Sequence, residues 1–273
     1  MNTLFDLTDR VILVTGATGT LAGSAADYLA TQGARVVYFG RHEEKIAAAL
    51  ARCRTRTPGA RCLGLVADVL DRPALERARD TVLEHWGRID GLLNGAGGNQ
   101  PGATIPPEKN FSDLDFTAFQ EVVDLNLHGT VLPSLVFTPA MLAGGRGSVV
   151  NFSSASVPQA ITRVVGYSAA KAGVENFTRW LAVDLGRRTG GAVRVNAVLP
   201  GFFLGEQNRR LLTAEDGTLT DRGDAIVRHT PAGRFGRAEE LHGALHYLLS
   251  DASSFVTGSI LTVDGGFGAF SGV

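Results

Sequence analysis

Short apolar segments rich in β-branched residues alternate with helical segments along this whole chain, and this alternation limits the possible folds most strongly. Strands are predicted at 11–16, 35–40, 61–68, 89–98, 147–154, 192–201 and 260–266. Helices are predicted at 20–33, 43–54, 72–87, 114–143, 167–188 and 238–249. Strands that alternate with helices form parallel sheets, because each helix carries the chain back across one face of the sheet. The strands are continuous apolar runs, which is typical of a sheet that is buried on both faces.

The predicted organisation is a single dinucleotide-binding α/β domain over residues 1–273. We expect a Rossmann-like, doubly wound parallel sheet of about seven strands, since no linker, repeat or low-complexity tract divides the chain. The segment 202–236 lacks clear strands and contains several Gly, Thr and Asp residues. We therefore expect it to form a small substrate-binding lobe near the ends of the strands.

Composition argues against several classes of function. The chain has 26 basic and 27 acidic side chains, so no overall field attracts nucleic acid or an anionic membrane. No apolar run approaches the ~18 residues of a membrane span, and the first ten residues do not resemble a signal peptide. We expect a cytoplasmic protein. Cys53 and Cys62 have no metal-site or nucleophile pattern around them and are predicted to be spectator thiols.

A glycine-rich turn, VTGATGTLAG, joins the first strand to the first helix. Glycine lets backbone N–H groups approach a pyrophosphate at the positive end of a helix, and the candidate residues of this turn are Gly16, Thr18, Gly19 and Leu21. The pattern departs from Gly-x-Gly-x-x-Gly, because Gly16, Gly19 and Gly23 sit at offsets 0, 3 and 7. A glycine-rich turn without a ligand is therefore the alternative.

The second strand ends at Gly40 and Arg41, where dinucleotide folds choose between two cofactors. An acidic residue there binds the ribose 2′-OH of NAD, whereas an arginine accommodates the 2′-phosphate of NADP. The acid is missing here, so NADP(H) is favoured and NAD(H) is possible. The alternative is that Arg41 only caps a loop.

Tyr167 and Lys171 are four residues apart on a predicted helix and share one face of it. An ammonium near a phenol favours the phenolate and lowers its pKa, so that the phenol can act as acid or base near neutral pH. Ser153 and Ser154, at the carboxyl end of the fifth strand, can add a hydroxyl donor. A Tyr/Lys pair alone is more often a surface contact. Its occurrence with the glycine turn, the two serines and a second turn, NGAGG, favours a reactive cluster.

Over nearly its whole length the sequence resembles the short-chain dehydrogenase/reductase superfamily. The matching segments, in order, are TGATGTLAG, ADV (67–69), NGAG (94–97), DLNLHGT (124–130), NFSSAS (151–156), YSAAK (167–171), RVNAVLPG (194–201) and VDGGF (263–267). Each segment is weak alone, and their joint order is specific. Ser154 lies thirteen residues before Tyr167, the spacing usual for the catalytic serine of that family.

The resemblance implies a role for each matched residue. Tyr167 would exchange a proton with the substrate oxygen, Lys171 would lower the pKa of Tyr167 and hold the nicotinamide ribose, and Ser154 would bind the substrate carbonyl. Asn126 would support a water that links Lys171 to solvent. Further cofactor contacts would come from Asp68, Val69, Asn94, Gly95, Ala96, Gly97, Pro200, Gly201 and Phe203. The family also implies a homodimer or homotetramer, and the apolar end FGAFSGV is expected to pack against a neighbouring subunit.

Two positions depart from the family pattern. Glycines are commonest at offsets 0, 4 and 6 of the first turn, where this chain has Gly16, Thr20 and Ala22. A threonine is common five residues after Pro200, where this chain has Gly205. One hydrogen bond to the cofactor carboxamide is then lost, or a neighbouring residue replaces it.

Substrate specificity is expected in the segments 99–112, 155–166 and 202–236. They resemble the branch of D-mannonate oxidoreductases (fructuronate reductases), which implies a sugar-acid substrate. Candidate substrate ligands are Arg163, Gln207, Asn208 and Arg209, with a loop arginine and a solvated lobe face as the alternatives. Other small carbonyls, such as a keto-polyol, 5-ketogluconate or a 3-oxoacyl chain, remain open, as does a non-catalytic dinucleotide sensor on the same fold.

Overall fold

The computed structural model describes residues 3–205 and 208–272, and these residues form one seven-stranded parallel sheet covered by helices. The strands are β1 (Val11–Thr15), β2 (Arg35–Gly40), β3 (Cys62–Val66), β4 (Gly91–Asn94), β5 (Gly147–Phe152), β6 (Val193–Pro200) and β7 (Ile260–Val263). Their order in the sheet is β3-β2-β1-β4-β5-β6-β7, and every neighbouring pair is parallel. The predicted doubly wound fold and the number of strands are confirmed.

The helices lie on both faces of this sheet. They are α1 (Thr20–Thr31), α2 (Glu43–Arg56), α3 (Arg72–Trp86), α4 (Phe116–Val123), α5 (Gly129–Ala143), α6 (Val165–Thr189), α7 (Arg209–Leu212), α8 (Asp221–His229) and α9 (His242–Leu249). Helix α3 begins where its sequence favours a helix start: the Asp71 side chain caps it by accepting a hydrogen bond from Ala74 N, and Pro73 occupies the first turn. Among the described residues, no helix is both long and apolar enough to cross a membrane.

Two apolar cores result from the alternation of side chains along the strands. Ile12 and Val14 of β1 face a core shared with α1, α2 and α9, while Val11 and Leu13 face a core shared with α3, α5 and α6. All four side chains are fully buried. Period-two alternation sends successive side chains to opposite faces, so an apolar strand can support both helical layers.

The two cysteines are nine residues apart in sequence but are in contact in the structure. Cys53 of α2 and Cys62 of β3 are both free thiols, and their Sγ atoms are 3.1 Å apart. Burial raises the pKa of Cys62 to about 12, which keeps this sulfur in the unreactive thiol form near neutral pH.

The predicted long helix 114–143 is wrong as a single element. The structure has α4, then one π-helical turn at Asp124–His128, then α5. The Asn126 side-chain amide donates to the carbonyl of Val122, four residues earlier, at 2.8 Å. A side chain that takes an i−4 carbonyl competes with the regular helical ladder, and this competition accounts for the wider turn.

The segment 202–236 contains the short helices α7 and α8, and a bridge between Phe203 and Gly236 brings its two ends together. Phe267, in the C-terminal segment, is 7 % exposed and packs edge-on against Phe202 at 5.1 Å and His229 at 4.9 Å. The ring of Phe267 thus has partners in its own chain, and the packing of this end against a neighbouring subunit stays a prediction.

Candidate active site

Four predicted catalytic residues come from three elements that meet at the carboxyl edge of the sheet. Ser154 follows β5, Tyr167 and Lys171 lie in the first two turns of α6, and Asn126 lies in the π turn. In open α/β sheets ligands bind outside the carboxyl ends of the strands. The fold therefore brings these side chains to the place where a substrate would meet a dinucleotide.

Ser154, not Ser153, is the serine available to a ligand. The buried Ser153 hydroxyl donates to Glu175 Oε1 at 2.6 Å, and Glu175 also pairs with Arg179 at 2.9 Å. The Ser154 side chain is partly exposed, and its Oγ accepts from Ser156 N at 3.2 Å. The choice made from the thirteen-residue spacing agrees with this geometry.

Burial raises the pKa of Tyr167, while a hydrogen bond with Ser154 acts in the opposite direction. The ring packs beside the buried Ala103, Ala118 and Val122, which explains the burial. The sequence predicted a lowered phenol pKa, and in the protein alone this direction is wrong. Desolvation outweighs the single hydroxyl that favours the phenolate.

Lys171 is 4 % exposed, and burial lowers its pKa to about 8. Its Nζ donates to the carbonyl of Phe152 at 2.8 Å and lies 5.6 Å from the centroid of the Tyr167 ring. The predicted face-sharing of Tyr167 and Lys171 is thus present. At neutral pH most of the Lys171 amine is still protonated, so it remains a cation close to the phenol.

Asn126 fixes the backbone below the site through both ends of its amide. Its Nδ2 donates to Gly98 O at 2.6 Å, and its Oδ1 accepts from Gly98 N at 3.1 Å. A Cβ on Gly97 would lie 2.7 Å from Asn126 Oδ1 and 3.4 Å from Lys171 Nζ, so only glycine fits there. A role of Asn126 toward a water molecule stays a prediction.

The first glycine turn approaches the turn after β4 very closely. Gly16 has a φ of +67°, and a Cβ on it would lie 2.7 Å from Gly95 O and 2.8 Å from Ala96 Cα. Thr15 Oγ1 accepts from both Gly95 N (3.0 Å) and Ala96 N (3.1 Å) and so ties the two turns together. Sequence reasoning missed Thr15, although a threonine at the end of β1 was visible.

The start of α1 fits an anionic group. Gly19 is its N-cap and offers no side-chain hydrogen bond to the first helical amides. A Cβ on Gly19 would meet Gly16 O at 3.3 Å and no other described atom within 4 Å, so this side of the turn is open. Exposed amides at a helix start bind phosphate. The turn therefore fits the pyrophosphate of a dinucleotide, with Thr18 beside Gly40 and Leu21 in the first turn of α1.

Arg41 and Asp68 lie together at the ends of β2 and β3. Their side chains are exposed and form a long ion pair of 3.8 Å. Val69 is buried and fills the space over Gly129, where a Cβ would approach Val69 Cγ2 to 2.8 Å. Asn94, also buried, donates to Asn151 Oδ1 at 2.8 Å and to Ser134 Oγ at 3.0 Å.

The end of β6 carries the last three predicted cofactor residues. Pro200 O accepts from Ala155 N at 3.1 Å, and Gly201 N donates to Val263 O at 3.0 Å. A Cβ on Gly201 would lie 2.7 Å from Asp264 Cα, so the position requires glycine. Phe203 is buried, with its ring against Gly236.

The two departures from the family pattern lie next to each other in space. A Cβ on Gly205 would be 3.1 Å from Thr20 Oγ1. The hydroxyl absent at position 205 is thus matched by a hydroxyl contributed from α1. This juxtaposition could not be read from the sequence, because 185 residues separate the two positions.

The predicted substrate residues differ in their exposure and in the hydrogen bonds that they already make within the protein. Arg163 is half-buried and has a left-handed backbone, with φ +78°. Asn208 bonds the backbone at both ends of its amide, with Gly205 N at 2.8 Å and Phe203 O at 2.8 Å, while Arg209 is exposed at the start of α7. Gln207 lies outside the described residues.

A protein-family profile described as enoyl-(acyl carrier protein) reductase matches residues 16–268. This match covers every element from the glycine turn to the loop after β7. The chain belongs to the short-chain dehydrogenase/reductase superfamily. The superfamily resemblance is confirmed, and the protein is an oxidoreductase rather than a non-catalytic sensor.

This short-chain dehydrogenase/reductase has relatives over nearly its full length. It is 42 % identical to an uncharacterized oxidoreductase, UxuB, of Bacillus subtilis, with 98 % of each chain covered. A Haemophilus influenza protein assigned provisionally as a D-mannonate oxidoreductase, with NAD bound, is 36 % identical, has a TM-score of 0.91 and is covered to 98 %. A Burkholderia cenocepacia gluconate 5-dehydrogenase with NADP and tartrate is 32 % identical, has a TM-score of 0.86 and is covered to 98 %. In both structural comparisons 98 % of this chain is matched.

Proposed function

We propose that this enzyme transfers hydride reversibly between NAD(P) and the alcohol or ketone of a sugar acid of the D-mannonate/D-fructuronate type. The observation that carries the proposal is the cluster of Ser154, Tyr167 and Lys171 at the carboxyl edge of the sheet, with Arg163 four residues before Tyr167 in the loop that leads into α6. A guanidinium close in sequence to the proton-transfer residue suits a substrate that has both a carboxylate and a hydroxyl. The similarity to a D-mannonate oxidoreductase and a gluconate dehydrogenase supports the same substrate class.

In the reductive direction, Ser154 donates a hydrogen bond to the substrate carbonyl oxygen, and Tyr167 delivers the proton that this oxygen needs. In the oxidative direction, Tyr167 takes the proton from the alcohol. Lys171 stabilises the phenolate by its charge, and the carbonyl of Phe152 holds its ammonium in place. A positioned proton donor of this kind contributes about 10²- to 10⁴-fold in rate.

When bound, a nicotinamide cofactor would supply or accept the hydride, and its oxidised form would add a positive charge near Tyr167. The residues that would hold the dinucleotide are Gly16, Thr18, Gly19, Leu21, Arg41, Asp68, Val69, Asn94, Gly95, Ala96, Gly97, Pro200, Gly201 and Phe203, together with Tyr167 and Lys171. We favour NADP(H), because β2 ends in Gly40 and the exposed Arg41, where NAD-binding folds have an acidic residue. NAD(H) is possible, since the solved relatives include one with NAD and one with NADP.

We also propose an oligomer, a homodimer or homotetramer, and a substrate-binding role for the lobe 202–236. Large apolar side chains are exposed on the outer helices, among them Trp180 (64 %) and Val183 (57 %) of α6 and Leu135 of α5. Exposed apolar patches of this kind favour association. Sedimentation of the purified protein tests the assembly, and a monomer at micromolar concentration would contradict it. A cytoplasmic location stays a prediction.

The experiment for the substrate class is a screen for turnover. D-Mannonate, D-gluconate and D-mannitol are offered with NAD⁺ and with NADP⁺, and the absorbance of reduced nicotinamide is followed. We expect the two acids to be oxidised faster than the polyol. Oxidation of the polyol alone would refute a sugar-acid substrate, and preference for gluconate would favour the second candidate, a 5-ketogluconate reductase.

The matched test of the catalytic group uses two tyrosines. Tyr167→Phe should lower kcat by about 10²- to 10⁴-fold, whereas Tyr247→Phe, in α9 and away from the site, should keep wild-type activity. Unchanged kcat in Tyr167→Phe would remove Tyr167 from the proton transfer.

A further inference from the structure

Arg222, in the first turn of α8, is a site residue that the sequence did not reveal. Its Nη1 donates to Thr162 Oγ1 at 3.1 Å and its Nη2 donates to the Thr162 carbonyl at 3.3 Å. These bonds attach the lobe 202–236 to the loop before α6. They use two of the five N–H groups of a guanidinium and leave three without a bond to the described residues.

The position of Arg163 is set by a third segment. The carbonyl of Arg163 accepts from Ile105 N at 3.1 Å, so the loop 99–112 holds the loop before α6 from the other side. This bond helps to retain the left-handed backbone of Arg163, with φ +78°, a conformation that is unfavourable for a residue with a Cβ. The three segments in which substrate specificity was expected therefore meet at Thr162 and Arg163.

Two positive charges, those of Arg163 and Arg222, belong to the segments that meet here. Arg222 bonds the residue next to Arg163, and burial together with the positive charge of Arg163 lowers the pKa of Arg222. Among residues 3–205 and 208–272, neither guanidinium forms an ion pair with a carboxylate. Two other arginines of the lobe do form ion pairs, Arg228 with Asp224 and Arg234 with Glu240, each at 2.6 Å.

We propose that Arg222 and Arg163 together bind the substrate carboxylate, one from the lobe and one from the loop before the catalytic helix. This inference rests on the proposed function and names a second ligand for its substrate. A carboxylate between the two would neutralise their repulsion and accept hydrogen bonds from both guanidinium groups. Residues 163 and 167 are at most about 14 Å apart along the chain, so one sugar-acid molecule could contact Arg163 through its carboxylate and Tyr167 through its reacting carbon.

The arrangement also explains how the lobe could distinguish acids from neutral polyols. A neutral ligand leaves two like charges facing each other, whereas an anion links the lobe to the body of the enzyme. Specificity then arises from the cost of leaving the two charges unpaired as much as from the attraction of the acid.

The test separates binding from turnover. In a Tyr167→Phe background, which retains the binding groups but lacks the proton donor, titration calorimetry measures the affinity for D-mannonate and D-gluconate at saturating NADP⁺. We expect Arg222→Gln to weaken the binding of both acids by about 10- to 100-fold. Arg228→Gln, the same change on the same helix, should leave the affinity within about twofold of the Tyr167→Phe protein.

A double-substitution cycle in the same background supplies the coupling. If both arginines bind one carboxylate, the combined loss in Arg163→Gln/Arg222→Gln should differ from the sum of the single losses, since residues that share a ligand are not additive. An Arg222→Gln protein that keeps its affinity for both acids, or that loses affinity equally for D-mannitol, would overturn the proposal.

Failure of the proposed function gives a different result. Tight acid binding that depends on Arg222, without oxidation of any acid by the wild-type enzyme, would retain the carboxylate site and refute the reaction. Oxidation of acids with unchanged affinity in Arg222→Gln would retain the reaction and refute the site. Arg222→Lys should recover only part of the affinity, because an ammonium lacks the planar fork of a guanidinium.

Discussion

Removal of the buried lysine should change how the stability of this enzyme depends on pH. The pKa of Lys171 is lowered to about 8 by burial, from 10.5. Below pH 8 the folded and unfolded chains both hold this proton, and stability does not depend on it. Between pH 8 and 10.5 the unfolded chain keeps a proton that the folded chain has released, so stability rises with pH. At 1.36 kcal/mol per pKa unit the full effect is about 3 kcal/mol, of which about 1 kcal/mol appears between pH 7 and pH 9.

Urea unfolding followed by circular dichroism, at one protein concentration, measures this effect. Between pH 7 and pH 9 the free energy of unfolding should increase by about 1 kcal/mol more in the wild type than in Lys171→Met. Other titrating groups are common to both proteins and cancel in the difference. The chain has only two further lysines, and both are exposed, so Lys45→Met and Lys109→Met should keep the wild-type dependence. Equal pH dependence in Lys171→Met and the wild type would refute the assigned desolvation of this amine.

Three further changes test the cofactor site. Arg41→Ala should weaken NADP⁺ binding by about tenfold or more and leave NAD⁺ binding nearly unchanged, as measured by fluorescence titration, and equal losses would contradict a phosphate contact. Gly205→Thr should weaken the binding of either cofactor because of the 3.1 Å approach to Thr20 Oγ1, and the added change Thr20→Gly should restore part of the loss. Gly16→Ala should destabilise the fold by roughly 2 kcal/mol or more, from a left-handed φ and a close approach to Gly95 O, and an unchanged thermal midpoint would show that the two turns separate easily.

The sequence was sufficient for the parts of this enzyme that depend on local pattern. Apolar runs predicted all seven strands, and glycine turns with a Tyr/Lys spacing of four predicted the edge at which the site lies. Several predicted strands extend too far, however. The segment 89–98 ends as a strand at Asn94 and 147–154 ends at Phe152, because the following residues leave the sheet to line the site. Apolar composition cannot show where a strand stops pairing.

The features that were missed all depend on contacts distant in sequence or on helix irregularity. The π turn at Asp124–His128 follows α4 directly and leads directly into α5, so no linker marks it in the sequence. Arg222 lies in a lobe without clear strands, and only the folded chain brings it to Thr162. The several arginines in 202–236 could have suggested a carboxylate ligand in the lobe, but no sequence spacing selects Arg222 among them.

Burial at the active site acts in the same sense on both catalytic groups. It raises the pKa of Tyr167 and lowers that of Lys171, so in the protein alone both shifts are toward the neutral form, although Lys171 stays mostly protonated at pH 7. Because the same desolvation reduces screening, any charge placed beside the pair by a ligand interacts with it more strongly than it would in water. In the proposed mechanism the phenolate would then be favoured mainly when an oxidised, cationic cofactor is bound, which is the state in which an alcohol can be oxidised. The same principle underlies the proposed carboxylate site, because Arg163 and Arg222 form no ion pair within residues 3–205 and 208–272 and an anionic substrate would neutralise both.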